Sequence, residues 1–228
     1  NKNCGAVNTK DLSKSITLNK ADIGFAFDGD GDRIIIVDEK GNTIDGDKIL
    51  ALFAKYLLKK NKKKLKKIVV STVMSNLGLE NFLKNKLNIK LIKTDVGDIN
   101  VIKEMQKNKS YLGGEQSGHV ILSEYSNTGD GILAALKVLE IMSMVNLKVS
   151  KLFNNYKDLP QKKINISYKK MNHKIKTKIK NLSKKNTLIP KGYKSLIRFS
   201  GTEPLIRILV EGSNKSKVMV LAENIEKK

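Results

Sequence analysis

Apolar and polar positions along the chain change period repeatedly, and each change marks an element. Ala21–Phe27 and Arg33–Glu39 are β-branched and aromatic runs on either side of an acidic stretch, which predicts strand, loop, strand. Lys40-Gly41-Asn42 reads as a turn, and Thr43–Asp45 leads into a helix predicted from about Asp47 to Lys60. Lys67–Val73 is a continuous β-branched run, the pattern of a buried strand. Ser75–Lys86 has helical periodicity, with Ser75 or Asn76 as N-cap. Ile89–Thr94 reads as strand, Asp98–Asn108 as helix, Tyr111–Leu112 and Val120–Leu122 as segments flanking a Gly-rich loop, and Gly131–Val145 as an apolar helix. Strands alternating with helices predict an α/β fold with a mixed, largely parallel sheet.

The pattern weakens after about Asn146. The stretch 151–162 holds Pro160 and few element signals, so it reads as a linker. Beyond it come a strand at Lys163–Tyr168, a lysine-rich helix near Asn172–Leu182, strands at Ser195–Phe199 and Leu205–Glu211 around a turn, and a helix at Lys215–Glu226. That order predicts a small C-terminal α+β domain.

Composition narrows the class. With 228 residues and 40% hydrophobic content the chain can build packed cores. A single cysteine, Cys4, excludes a disulfide framework and a cysteine-based zinc cluster. No apolar run approaches the ~18–20 residues of a membrane span, and the polar opening Asn1–Asn3 shows no signal peptide, so no membrane partner is expected and the cytoplasm is the simplest compartment. The net charge of +22 suggests a nucleic-acid or other polyanion partner. Its distribution argues otherwise. Lysines are spread widely, and the denser stretches Lys59–Lys67 and Lys162–Lys185 have Tyr168 as their one aromatic and no stacking pattern, so they read as solvated surface. A basic polyanion-binding module stays as the alternative. The basic set contains only three arginines, Arg33, Arg198 and Arg207. A planar fork is hard to replace with lysine where phosphate or carboxylate is gripped, so these three direct attention to their loops.

Three loops carry chemistry. In Asp28-Gly29-Asp30-Gly31-Asp32-Arg33, carboxylates at alternating positions would repel unless a cation sits among them, and oxygen-only donors suit Mg²⁺ or Ca²⁺. An acidic turn and an EF-hand are the alternatives. Arg33 stands where the EF-hand needs its glycine, and Ile34–Val37 reads as strand, which counts against the second. Gly113-Gly114-Glu115-Gln116-Ser117-Gly118-His119 presents a carboxylate and a hydroxyl on a flexible loop, suited to sugar hydroxyls or an amine. Its His119 reads equally as an acid–base group or a satisfied hydrogen-bonder. Arg198-Phe199-Ser200-Gly201-Thr202-Glu203-Pro204-Leu205-Ile206-Arg207 has the donors of a phosphate cradle.

In this order, with Val73–Gly78, Val96-Gly97-Asp98 and Asn127–Gly131 between them, the loops resemble the α-D-phosphohexomutase family, and its bacterial glucosamine-phosphate branch in particular. The resemblance covers essentially the whole chain. It implies an enzyme that interconverts glucosamine 6-phosphate and glucosamine 1-phosphate through a phosphoserine and a bisphosphorylated sugar, toward UDP-N-acetylglucosamine. Glucose or mannose phosphates are the alternative substrates. It further implies Mg²⁺ on Asp28, Asp30 and Asp32, and Arg33 and His119 as catalytic groups. Glu115 and Ser117 would then hold sugar hydroxyls, and Arg198, Ser200, Gly201, Thr202 and Arg207 the phosphate. By the same resemblance, 1–44 would be the end of the family's domain two, 45–150 domain three and 163–228 domain four. The N-terminal half of the enzyme, which bears the serine, would be a missing partner, so the chain alone is expected to be inactive. Ile99-Asn100 and Phe199 depart from the branch's usual residues. The first pair touches a substrate-facing position, and the second is expected to change only turn stiffness.

Overall fold

The run Ile34–Val37 lies at the centre of the first folded unit because its unbroken apolar character leaves no face for water, and the Asp38 carboxylate that follows is buried by accepting from the Lys40 and Asn42 amides. In the computed structural model, which describes residues 4–60, 66–168, 177, 179, 189–200 and 203–227, Ile34–Asp38 is β2, and all five residues are buried. β1 (Ile23–Phe27) pairs with it antiparallel, Phe27 opposite Ile34, and the short β3 (Thr43–Ile44) pairs on its other side. β1 alternates between half-buried and buried positions, as an edge strand should.

The chain divides into two compact units, residues 1–157 and 158–228. In the first, helix α2 (Gly46–Lys60) has Ile49, Leu50, Ala51, Leu52 and Phe53 all at 0% exposure, so it is buried on every side along that stretch. A four-stranded sheet runs in the order β5 (Lys90–Thr94), β4 (Ile68–Thr72), β6 (Leu112–Gly114), β7 (Val120–Leu122). β4 is parallel to β5 and β6, and β7 turns back antiparallel on β6, which makes the sheet mixed with a parallel centre. Helices α3 (Leu77–Leu87) and α4 (Asp98–Asn108) make the crossovers. Of the two N-cap candidates for α3, Asn76 caps it by accepting from the Gly78 amide at 2.8 Å. Helix α5 (Gly131–Val145) is capped by Asp130, which accepts from the Leu133 amide at 2.8 Å.

Two elements were not expected. Helix α1 (Lys10–Asn19) buries only Ile16 and docks by Leu12 and Ile16 onto Gly24 of β1, where a Cβ would come within 3.0 Å of both side chains. The stretch 151–162 is not a bare linker. It contains the end of helix α6 (Val149–Leu152), whose Leu152 joins Phe153 in the first unit's core, and the start of β8 (Gln161–Ser167).

α6 is anchored from β2's side of the unit. Glu39 accepts from the Ser150 amide at 3.0 Å and from its hydroxyl. Burial alone would raise the Glu39 carboxyl, but the two Ser150 donors outweigh it and hold it below its usual value of 4.5. A depressed carboxylate adds stability that is present above that value and is lost as the pH falls through the folded-state value. Glu39→Gln is therefore expected to lower stability at pH 7 by about 1–2 kcal/mol, with the difference from the parent shrinking below pH 4.5, as urea unfolding at pH 7 and at pH 3.5 would show.

The second unit is a three-stranded antiparallel sheet, β8–β10–β9, with β9 at Tyr193–Phe199 and β10 at Leu205–Gly212. Helix α7 (Lys215–Glu226) covers it through Val218 and Ala222, which pack with Ile206, Ile208 and Val210. Phe199 belongs to this core, edge-on to Tyr168 with ring centroids 6.5 Å apart, so its effect reaches beyond turn stiffness. The lysine-rich helix expected near Asn172–Leu182 falls outside the described residues except at Thr177 and Ile179. Among the described residues, no helix is long and apolar enough to cross a membrane.

Candidate functional site

The β1–β2 register forces Asp28 to Arg33 into one tight bend. Gly31 supplies its left-handed turn at φ +74° and donates its amide to the Asp28 carbonyl at 3.2 Å. The Arg33 amide donates to Asp28 Oδ1 at 3.0 Å. The bend brings one oxygen each of Asp28, Asp30 and Asp32 within 4.8 Å of one another. Burial pushes the Asp32 carboxyl above the usual range, and the adjoining Asp28 carboxyl and the charge of Asp30 push the same way. In Asp28 burial acts upward too, but the Arg33 amide, the Asp32 carboxyl and the Arg33 charge outweigh it and hold that carboxyl low. Neighbouring carboxyls driven in opposite directions are the sign of crowded negative charge. Asp32 Oδ1 is buried and has no hydrogen-bond partner among the described residues. An oxygen-only trio with such a donor fits a hard divalent cation. The Arg33 side chain is 44% exposed, with Nε 3.7 Å from Asp28 Oδ2 and 3.8 Å from Asp32 Oδ1.

The loop from Gly114 to His119 is the connection of the β6–β7 hairpin, closed by Glu115 N–H to the His119 carbonyl at 2.9 Å. It is fastened to the aspartate loop. The Ile34 amide donates to the Gly118 carbonyl at 3.1 Å, and Arg33 and His119 form an antiparallel bridge. Ser71 of β4 donates its hydroxyl to the Gly114 carbonyl at 2.7 Å, which ties the loop to the sheet as well. Glu115 is 9% exposed, and its Oε1 accepts from the Gly97 amide at 3.1 Å, beside the start of α4. Ser117 is exposed at the tip. Near that start, Ile99 is 60% exposed, while the Asn100 side-chain Nδ2 donates back to the Val96 carbonyl at 3.1 Å.

His119 is 1% exposed. Its Nδ1 is 3.1 Å from Asp32 Oδ2, and its Nε2 accepts from the Gly129 amide at 3.1 Å. The turn Gly129-Asp130-Gly131 thus belongs to the site, although sequence reasoning gave it no role. Gly129 faces the imidazole so closely that a Cβ would lie 2.5–2.6 Å from the ring, and the Gly131 amide donates to the Gly31 carbonyl at 2.9 Å. The signal available was an N-cap aspartate between glycines just before an apolar helix.

In the second unit, Arg198 on β9 and Arg207 on β10 are directly paired across the strands, with Asn165 of β8 opposite Arg207 on its other side. Directly opposed residues share a face, and opposed like charges destabilise a sheet unless an anion joins them. Arg207 forms an ion pair with Glu203. Ser200 donates its amide to the Leu205 carbonyl at 2.8 Å. Gly201 and Thr202 lie outside the described residues.

These two units have the fold of the phosphohexomutase superfamily. A phosphoglucomutase/phosphomannomutase family protein from Burkholderia thailandensis superimposes with a TM-score of 0.81 at 23% identity, over 97% of this chain and 49% of that one. An N-acetylphosphoglucosamine mutase from Aspergillus fumigatus, solved in complex with GlcNAc-6P and magnesium, gives 0.75 at 22% identity, over 98% and 56% of the two chains. The family model for phosphoglucomutase/phosphomannomutase alpha/beta/alpha domain III matches residues 45–159, and the model for the C-terminal domain matches residues 144–228. The chain belongs to the phosphoglucomutase/phosphomannomutase family. It is 44% identical over 227 residues to a phosphoglucosamine mutase of Lawsonia intracellularis and 46% identical over 229 residues to one of Clostridium beijerinckii. Each match takes in 99% of this chain, and the chain spans about half the length of these relatives.

Proposed function

We propose that these residues serve a phosphoglucosamine mutase, which interconverts glucosamine 6-phosphate and glucosamine 1-phosphate. The observation behind this reading is the 44–46% identity to phosphoglucosamine mutases across 99% of the chain, a stretch that takes in all three loops. In that enzyme 1–44 would close the second domain, 45–150 would form the third and 163–228 the fourth.

Asp28, Asp30 and Asp32 would hold Mg²⁺, which when bound supplies positive charge to a phosphoryl group in transfer. Arg33, half-exposed beside the trio, offers a guanidinium where negative charge develops. Glu115 is fixed through one oxygen by Gly97 and would accept from a sugar hydroxyl with the other, with Ser117 at the same tip bonding a neighbouring hydroxyl. Arg198, Ser200, Gly201, Thr202 and Arg207 would grip the phosphate that is not reacting, so that remote binding energy becomes positioning. No serine among these residues stands in the family's phosphoserine setting, so the phosphoryl carrier would come from outside them.

Turnover assays test the reading. The 228-residue chain alone is expected to show no mutase turnover. Joined behind the first half of the Lawsonia relative, it is expected to favour glucosamine phosphates over glucose or mannose phosphates by at least about tenfold in kcat/KM. Turnover by the isolated chain would defeat the assignment of the carrier. A preference for mannose phosphates in the joined protein would defeat the assignment of the sugar.

A further inference from the structure

Helix α5 buries Ala134, Ala135, Val138 and Ile141 in the core of the first unit and turns a second apolar stripe outward. Ile132 is 60% exposed, Leu136 59% and Leu139 41%. Spacings of four and three put them on one face of the helix, and the exposed Ser143 extends that face without a charge. Apolar residues scattered singly on a surface need no explanation, but a contiguous stripe marks a contact surface. Its surroundings say what covers it. Ile132 follows Gly131, whose amide donates to the Gly31 carbonyl at 2.9 Å, so the stripe begins at the aspartate loop. A phosphoryl carrier from outside these residues has to reach that loop, and the polypeptide that brings it there passes over the start of α5. At the other end of the stripe, Met142, Ser143 and Leu147 line a cavity of about 570 Å³ together with Asp22, Glu39 and Lys148. The cavity joins α5 to the start of β1. Among the described residues β1 pairs with a strand on one side only, and Ile23–Phe27 has neither charge nor proline, the usual protection of an open edge. Its half-buried Ile23, Phe25 and Phe27 pack on the same core as α5. An unprotected edge, a cavity and an apolar stripe thus adjoin one another in a chain that spans about half the length of its relatives.

We infer that the outer stripe of α5, Ile132, Leu136 and Leu139, with the cavity at its end, is the surface on which the phosphoserine-bearing first half of the enzyme docks. The contact does more than hold two halves together. α5 is fastened to Gly31 at its first residue, so whatever seats on the stripe takes its position from the same element that holds the aspartate loop. The inference rests on the proposed mutase reading, because its occupant is the half that carries the phosphoryl group.

Thiol labelling tests it. Cys4→Ser removes the exposed native thiol, and Leu136→Cys on that background places a probe in the stripe. Lys107→Cys, on the exposed side of α4, is the control. In the isolated 228-residue chain a maleimide is expected to label both positions readily. With the first half of the Lawsonia relative joined in front, Leu136→Cys is expected to label at least about tenfold more slowly and Lys107→Cys within about twofold of its former rate, because the core of a contact excludes water. The same first half, added in excess as a separate polypeptide, is expected to slow Leu136→Cys as well. Labelling of Leu136→Cys that is unslowed in both formats overturns the inference. So does equal slowing at Lys107→Cys, since the protection is then not confined to α5. Slowing in the isolated chain that grows with its concentration makes a second copy the occupant and overturns it too. Turnover separates the inference from the reading it rests on. A joined protein that interconverts glucosamine phosphates but leaves Leu136→Cys open defeats the inference alone. One that protects Leu136→Cys without turnover supports the docking surface and counts against the mutase reading.

Discussion

Gly118→Ala is expected to destabilise the first unit by about 3–5 kcal/mol, the largest loss among single methyl additions near the site. Two effects add. Gly118 has φ +97°, where a side chain is strained in any surroundings, and its Cβ would lie 2.1 Å from the Ile34 carbonyl oxygen. That oxygen belongs to the backbone of β2, a strand buried along its whole length, so it cannot move aside as a flexible side chain would. The hydrogen bond from the Ile34 amide to the Gly118 carbonyl would stretch or break at the same time. Gly31→Ala is the matched control. It also has positive φ, +74°, but nothing lies within 4 Å of its Cβ, so only the conformational cost of about 1 kcal/mol remains. Urea unfolding of both variants, followed by circular dichroism, gives the comparison. Equal midpoints would show that the contact between the two loops does not constrain the backbone as described.

Arg198→Ala is expected to weaken binding of glucosamine 6-phosphate by roughly 10–100-fold, measured by calorimetric titration of the 228-residue chain. A charge-assisted fork onto phosphate contributes about 1.5–3 kcal/mol, and about 1.4 kcal/mol is a factor of ten. Arg198→Lys separates fork from charge. It keeps the positive charge beside Arg207, its cross-strand partner, but cannot make two parallel hydrogen bonds, so it is expected to recover less than half of the lost free energy. Inorganic phosphate should compete with the sugar phosphate at this site. Unchanged affinity in Arg198→Ala, or full recovery in Arg198→Lys, would remove Arg198 from the phosphate site.

The elements that could be read in the sequence were those with strong periodicity. β2, β4, α2 and α5 are nearly continuous apolar runs, and each lies where its pattern places it. Helix α1 escaped because Lys10–Asn19 is mostly polar and buries a single residue, so its apolar stripe, Leu12 and Ile16, is too short to establish a period. α6 escaped because four residues are too few to establish a period. The loops with chemistry were legible one at a time, since their residue types are local. Their fastening was not. His119 and Asp32 are 87 residues apart, and Gly118 meets Ile34 through backbone atoms, whose contacts side-chain identity does not report. The second unit's arginines were visible as survivors in a lysine-rich chain, but their direct pairing depends on the register of β9 and β10.

Lysine and asparagine enrichment also reaches the ends of the helices. Among the described residues, four of them close on a left-handed residue, Lys20 after α1, Asn88 after α3, Lys109 after α4 and Asn146 after α5. Asparagine tolerates that conformation because its short amide can bond locally, whereas the Cβ of lysine crowds the following carbonyl at about 1 kcal/mol. The same compositional drift is therefore nearly neutral after α3 and α5 and leaves strain after α1 and α4. Stability is recoverable at Lys20 and Lys109 without altering any loop that carries chemistry.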